Sequence, residues 1–375
     1  MEARLNPLDL HGALTALGKI VPKRHPHPAL GCVSVSIDDG AQYATLRGTD
    51  LEAEFSITLE ALSGSTPGTA LFPFRELAAL VKGYKGTRKA PGPVLTLTDA
   101  GGPALLATQD RIPFASVPDV DAFPERVELA GSCPPTYPQA GALARLLSSV
   151  AHAMSADETR YHLNGIYLEP TADGLTAVAA DGYRLTTHTA PGLVLQLPAP
   201  SIFPRIAVPA LLDVLACARE GTVEIEASLR ELRIETPGRR LIVRWVDGTF
   251  PEWRRVLPRS GAPSVTVRRK ELAEAIKAVQ VVQGKDKMRG VRLSVADGTM
   301  TVLCRSKEGA ELTRTVSIVG PDREMPPTGY NVRYLLDALS SSDAETVTWA
   351  SKEPASQGTF TSDGEALCIV MPMRL

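Results

Sequence analysis

Three times along this chain, a Gly opens an alternating strand, an Asp-Gly turn leads into a second strand, and a short Leu-rich helix follows. The copies begin at Gly31, Gly165 and Gly290, with their turns at Asp39-Gly40, Asp173-Gly174 and Asp297-Gly298. The spacings, 134 and 125 residues, are far longer than the roughly 20 to 50 residues of a solenoid unit, so the repeat predicts three copies of a whole domain. A chain of 375 residues is long enough for two or three separate cores, which agrees.

Each third also opens with an amphipathic helix, marked by Leu14, Leu17 and Val21, by Leu143, Leu146, Leu147 and Val150, and by Leu272, Ala275, Ile276 and Val279. A second helix follows the hairpin in every copy, around Leu77 and Val81, Leu211 and Leu215, and Leu335 and Leu339. Further period-2 segments, such as Val223–Glu226, Leu232–Ile234 and Arg240–Arg244, read as strands with one buried face. Hairpins outnumber helices, so the fold class is α+β: three repeated domains, each with two helices packed on antiparallel sheets. Polar, Pro-bearing stretches at 127–138 and 258–264 divide the chain into domains 1–127, 135–258 and 264–375.

Charge and motif content narrow the function by exclusion. A formal net charge of -2 does not suit a protein that coats nucleic acid by bulk attraction, although a local basic surface remains open. The five cysteines, without a Cys-x-x-Cys pair, read as buried thiols in a reducing cytoplasm, and neither a signal peptide nor a membrane span is expected. No phosphate-binding loop, nucleophile elbow or His-Glu-x-x-His helix occurs, so no catalytic residue, metal or cofactor is expected. His25 and His27 flank Pro26 without further ligands nearby, and Asp38-Asp39 suits a hairpin turn better than an acid/base dyad. The segment Leu367–Leu375 reads as an apolar strand running to the last residue, either a final core strand or, through Met371-Pro372-Met373, part of an adaptable apolar groove for peptides.

At these residues the chain resembles the bacterial DNA polymerase III beta subunit, the sliding clamp, along essentially its whole length. The matching motifs are Gly48-Thr49-Asp50-Leu51-Glu52, Arg160-Tyr161-His162-Leu163-Asn164-Gly165, Ala180-Asp181-Gly182-Tyr183-Arg184-Leu185, the segment Gly248–Pro258, Arg289-Gly290-Val291-Arg292-Leu293, and Met371-Pro372-Met373-Arg374-Leu375. The resemblance implies a non-catalytic processivity factor: each chain is half of a head-to-tail homodimeric ring that encircles double-stranded DNA without sequence preference. The ring would tether the replicative polymerase, the clamp loader and repair proteins through short Gln/Leu/Phe-type motifs. A diverged paralogue serving as a resistance or decoy copy and an enzyme with an unrecognised site are the alternatives.

The resemblance also assigns residues. The partner-peptide groove would be lined by Leu163, Ala180, Gly182, Tyr183, Arg184, Leu185, Pro251, Arg255, Val256, Tyr334, Ile369, Met371, Pro372, Met373 and Arg374, with Ser356 at its rim. Ring closure would set Arg111, Ile112 and Phe114 against Val281 and Val282, with Glu308 and Glu311 nearby. Phosphate contacts would come from Arg24, Lys82, Lys85, Arg145, His152, Arg160, Lys270, Lys277, Lys287 and Arg289, scattered on polar helix faces and their loops; Lys19 and Lys285 are further cations of this kind. Four positions depart from the family pattern: Ala180 replaces a common Thr, Tyr183 stands where His is frequent, and Glu76 and Arg314 exchange the usual charges.

Overall fold

The structure, a computed structural model, describes every residue except 91, 116, 126–128, 130, 259–260, 285–288, 321–322, 354–355 and 363–365. Lys285 and Lys287 therefore lie outside the described residues, as do parts of both predicted junctions. Six α-helices occur among the described residues: α1 (Pro7–Leu17), α2 (Phe74–Tyr84), α3 (Ala140–Ala151), α4 (Val208–Cys217), α5 (Arg269–Val279) and α6 (Val332–Ser340). Each holds one of the predicted apolar stripes, except that Val21 lies beyond the end of α1, and the strand pairings among the described residues are antiparallel. Caps explain where two helices start: Asn6 accepts from the N–H groups of Leu8 and Asp9 ahead of α1, and Asn331 from those of Arg333 and Tyr334 ahead of α6.

The chain divides into two compact units, one of residues 1–144, 195–199 and 206–245, the other of residues 145–194, 200–205 and 246–375. The first unit holds two sheets. A four-stranded one runs, in spatial order, Glu2–Leu5, Leu95–Thr98, Ala104–Ala107, Asp110–Pro113. A seven-stranded one runs Glu224–Ala227, Glu231–Thr236, Arg239–Arg244, Ala53–Glu60, Tyr43–Thr49, Cys32–Ile37, Gly68–Pro73. Its core face carries Phe55, Ile57, Leu241 and Val243, each at most 2% exposed.

The second unit contains one sheet of twelve strands. Seven of these repeat the order of the first unit's larger sheet: Thr346–Ala350, Gly358–Thr361, Leu367–Val370, Arg184–Pro191, Gly174–Ala180, Gly165–Thr171, Ser201–Pro204. The remaining five are Ser264–Arg268, Glu311–Val319, Thr299–Arg305, Gly290–Ala296 and Met325–Asn331. Trp349, Tyr330 and Phe360 anchor the core beneath α5 and α6, with Trp349 Nε1 donating to the Tyr330 hydroxyl at 3.1 Å.

Three expectations need correction. The first copy of the repeat starts one residue later than the sequence suggests, because Cys32 pairs with Pro73 as Gly165 pairs with Pro204. Gly165 is required by close approach, since a Cβ there would strike the Phe203 carbonyl, whereas Gly31 has open space around it. The C-terminal strand ends at Val370, not at the last residue, because Pro372 has no N–H to continue the ladder. Cysteine burial is also uneven: Cys32, Cys304 and Cys368 are buried, but Cys133 is half-buried and Cys217, at the end of α4, is exposed.

Candidate functional site

The turn between Gly174–Ala180 and Arg184–Pro191 organises the site. Asp181 Oδ1 accepts from the N–H groups of Tyr183 (2.9 Å) and Arg184 (3.0 Å), and Gly182 takes the left-handed conformation (φ 89°) that lets the chain reverse. This leaves the Tyr183 ring 59% exposed, while the Arg184 side chain is only 6% exposed. A guanidinium that deep requires partners on every side. Arg184 Nε donates to Asp181 Oδ2 at 3.0 Å, Nη1 to Asp337 Oδ2 at 2.6 Å and Nη2 to the carbonyl of His152, while the whole group lies 4.4 Å from the centre of the Tyr334 ring. One side chain thus ties the turn to α6 and to the residue after α3.

Beside this bracket lies an apolar floor of Leu163, Val178, Leu185, Ile202, Phe250, Trp253 and Ile369, with Tyr167 and Ala180 packed against it. Tyr167 stacks on Phe250 at 4.8 Å, and Arg254, paired bidentately with Glu169, covers the Trp253 ring at 4.3 Å. The last residues run past this floor: Met371 N donates to Tyr183 O and Met373 N to Gly329 O, both at 2.9 Å, and Arg292 reaches the Leu375 carbonyl oxygen at 3.3 Å. Met371 (47% exposed), Val256 (45%) and Tyr183 supply large apolar side chains at the surface, and Pro251, Arg255 and Arg374 are exposed with them. Gln357 Nε2 donates to Val256 O at 2.8 Å beside a cavity of about 470 Å³ lined by Leu257, Ser351, Ser356 and Gln357. Such an arrangement has the means to hold a short apolar peptide segment: a dry floor, exposed aromatic and thioether side chains, and cations.

The structure therefore gathers Leu163, Ala180, Leu185 and Ile369 into one cluster and sets Arg184, Tyr334 and Met371 around the adjoining turn. Sequence reasoning missed Tyr167, Val178, Ile202, Phe250 and Trp253 in the floor, and Asp181 and Asp337 as the anchors of Arg184. Val178 was within reach of the period-2 pattern, two residues from Ala180 on the same face; Asp337, 153 positions from Arg184, had no local signal.

The cations do not behave alike. Lys270 and Lys277 on α5, Arg145 on α3, Lys82 on α2 and the loop residue Arg24 are exposed. Arg160 is 44% exposed beside Asp157 and donates to Asp181 O. Lys85 reaches His11 Nε2 at 3.0 Å, and Lys19 is paired with Asp213. Arg289 donates to Gln280 Oε1 and Gly284 O, and with Arg333 it lines a cleft of about 390 Å³ at the start of α6. His152 does not fit the expectation of an exposed cation: burial first, then the Arg184 guanidinium, pushes its pKa down to about 4, and Nε2 sits 3.2 Å from Thr186 Oγ1. His25 Nδ1 accepts from His27 N at 3.0 Å, and no cluster suited to a metal occurs among the described residues. No helix among them is long and apolar enough to cross a membrane.

Of the residues assigned to ring closure, Phe114 is buried edge-on against Phe72 at 6.0 Å, while Arg111, on the strand Asp110–Pro113, donates to the carbonyls of Ala100, Gly101 and Gly102. Ile112 is half-buried on the same strand. Val281 is 73% exposed just after α5, Val282 is half-buried, Glu308 is exposed, and Glu311 pairs with Arg305.

Two family signatures match this chain: DNA polymerase III beta subunit, central domain, over residues 139–252, and the C-terminal domain of the same subunit over residues 254–374. The beta sliding clamp of Pseudomonas aeruginosa is 30% identical over 100% of this chain and 98% of its own length; that of Escherichia coli is 28% identical over 93% of each. Among solved structures, a C. crescentus beta sliding clamp superposes with a TM-score of 0.87 at 26% identity, covering 100% of this chain and 99% of that one. The DNA polymerase III subunit beta of Pseudomonas aeruginosa gives 0.85 at 26% identity with 100% of both covered. With the repeated sheet, the turn and the floor all in place, the chain belongs to the DNA polymerase III beta subunit family, the DNA sliding clamps.

Proposed function

We propose that two copies of this chain close head to tail into a ring around duplex DNA, and that the groove beside Arg184 takes the short linear motifs of the polymerase, the clamp loader and repair proteins. The observation that carries the ring is an unfinished set of joints. In the first unit Arg239–Arg244 pairs with Ala53–Glu60, and in the second Leu367–Val370 pairs with Arg184–Pro191, the same joint made twice in the same register. Two halves remain. The strand Asp110–Pro113 pairs on one side only, with Ala104–Ala107, and the part of Glu311–Val319 before Ile318 pairs only with Thr299–Arg305 among the described residues. Open edges of this kind are templates for another chain. A second copy, offering the complementary half, completes both, and a rotation that closes gives a finite oligomer. The exchanged charges at Glu76 and Arg314 then favour self-pairing over mixing with another clamp.

In such a ring each chain contributes three domains, 1–127, 135–258 and 264–375, each built on the same hairpin-and-helix plan. Lys82, Arg145, Lys270 and Lys277 are exposed cations on three of the helices, suited to phosphate contacts without base readout. A ring holds DNA by topology and needs no active site of its own, and its work lies with the chromosome in the cytoplasm. The test loads the protein onto nicked circular DNA with a clamp loader and then cuts the circle. Retention on the circle in high salt and loss on linearisation is the expected result; salt-sensitive binding that is the same for circle and linear DNA would end the ring reading.

A further inference from the structure

The seven-stranded sheet of the first unit reproduces the frame of the groove but not its floor. Asp50 Oδ1 accepts from the N–H groups of Glu52 (3.0 Å) and Ala53 (2.7 Å), as Asp181 Oδ1 accepts from Tyr183 and Arg184. The residue between is left-handed in both turns, Leu51 at φ 78° and Gly182 at φ 89°. The closing backbone bond is the same too: Arg244 N donates to Glu52 O at 2.8 Å, Met371 N to Tyr183 O at 2.9 Å. Strand register then matches the positions one by one. Arg47 stands where Val178 stands, Glu54 where Leu185 stands, and Ile242 where Ile369 stands. Ser34 faces Arg47 as Tyr167 faces Val178, and Phe123, in its Phe-Pro-Glu segment, answers to Phe250.

The chemistry at those positions is opposite. Val178 and Leu185 are apolar floor, whereas Arg47 Nη1 and Glu54 Oε2 form an ion pair at 2.9 Å with side chains 13% and 3% exposed. Arg47 Nη2 also donates to Pro124 O at 2.7 Å, and its guanidinium lies 4.8 Å from the centre of the Phe123 ring, where Phe250 instead carries Tyr167. What remains of the floor is a small cluster of Ala29, Cys32, Leu71 and Phe123. We infer that the Arg47–Glu54 pair is a specificity lock: it fills the repeat-related groove with a desolvated charge pair, so that each chain offers one docking site for apolar motifs and not two. An apolar anchor entering there would have to displace charges that have no water to return to, which costs far more than the anchor gains. The inference rests on the docking reading of the groove beside Arg184.

The test measures binding of a fluorescein-labelled peptide rich in Gln, Leu and Phe to the full chain by anisotropy. The unaltered chain is expected to saturate at one peptide per chain, and Y183E/M371E, which changes two exposed side chains, to weaken that binding. Adding R47V/E54L, which installs the residues of the matched positions, is expected to tighten binding at least about tenfold over Y183E/M371E, since exposing a site for one apolar anchor is worth at least that factor. R47M/E54L, which fills more of the vacated volume, is run in parallel. A folded Y183E/M371E chain carrying either pair that binds no tighter overturns the lock, as does loss of folding in both, because the matched positions would then not tolerate the groove's residues. An unaltered chain that binds no peptide overturns the docking reading itself and the lock with it; one peptide per chain without the gain overturns the lock alone.

Discussion

Arg184 shows how a single side chain can be legible as a position and illegible as a mechanism. The motif Asp181-Gly182-Tyr183-Arg184 marks it, but only its burial between Asp181, Asp337 and Tyr334 makes it a bracket that ties the turn to α6. The same bracket fixes His152. Its pKa is about 4 in the folded chain against an ordinary 6.5, so between those values the unfolded chain holds a proton that the folded one does not. The stabilisation is therefore complete above about pH 6.5 and is lost as pH falls toward 4, by about 1.4 kcal/mol for each pKa unit separating the two states. His152→Gln should flatten the fall in Tm between pH 7 and pH 4.5 relative to the unaltered chain; an unchanged pH profile would mean that the ring is not held neutral.

At the scale of elements, helix stripes and hairpin turns were readable because they follow from periods of 3.6 and 2 and from turn chemistry. Asp297 (φ 50°) and Gly298 (φ 69°) form the two left-handed residues that a two-residue hairpin needs, and Asp38 Oδ1 accepts from Gln42 N and Tyr43 N, the backbone role that suits an acid to this turn. The length of the last strand was misjudged because apolar residues continue past Val370, while the missing N–H of Pro372 ends the ladder; the tail instead crosses to Tyr183 and Gly329. Helix α6 depends on its cap. Asn331→Ala should cost about 1 kcal/mol in urea denaturation and, since α6 supplies Tyr334 and Asp337 to the Arg184 bracket, should weaken peptide binding as well. Full peptide affinity in that variant would detach the helix from the groove.

For the whole molecule, the decisive quantity is how many chains make the functional particle. A chain of 40.0 kDa whose open edges find each other should sediment at about twice that mass at micromolar concentration. Ile112→Asp places a charge on the edge strand Asp110–Pro113 and should return the particle to 40.0 kDa without changing its circular dichroism. Sedimentation of the unaltered chain as a single 40.0 kDa species would leave the edges without a partner and the ring without a joint.

The α+β class, the helix stripes and the hairpin turns followed from local pattern, since each depends on residues close together along the chain. Only the tertiary structure decided what occupies the space between distant segments: that Asp337 meets Arg184, that Phe250 and Trp253 join Leu163 in one floor, that burial and Arg184 push the pKa of His152 down, and that Arg47 meets Glu54 where the matched sheet places Val178 and Leu185. Pairing register sets those meetings, and register is a property of strands brought together from across the chain, which no single segment encodes by itself.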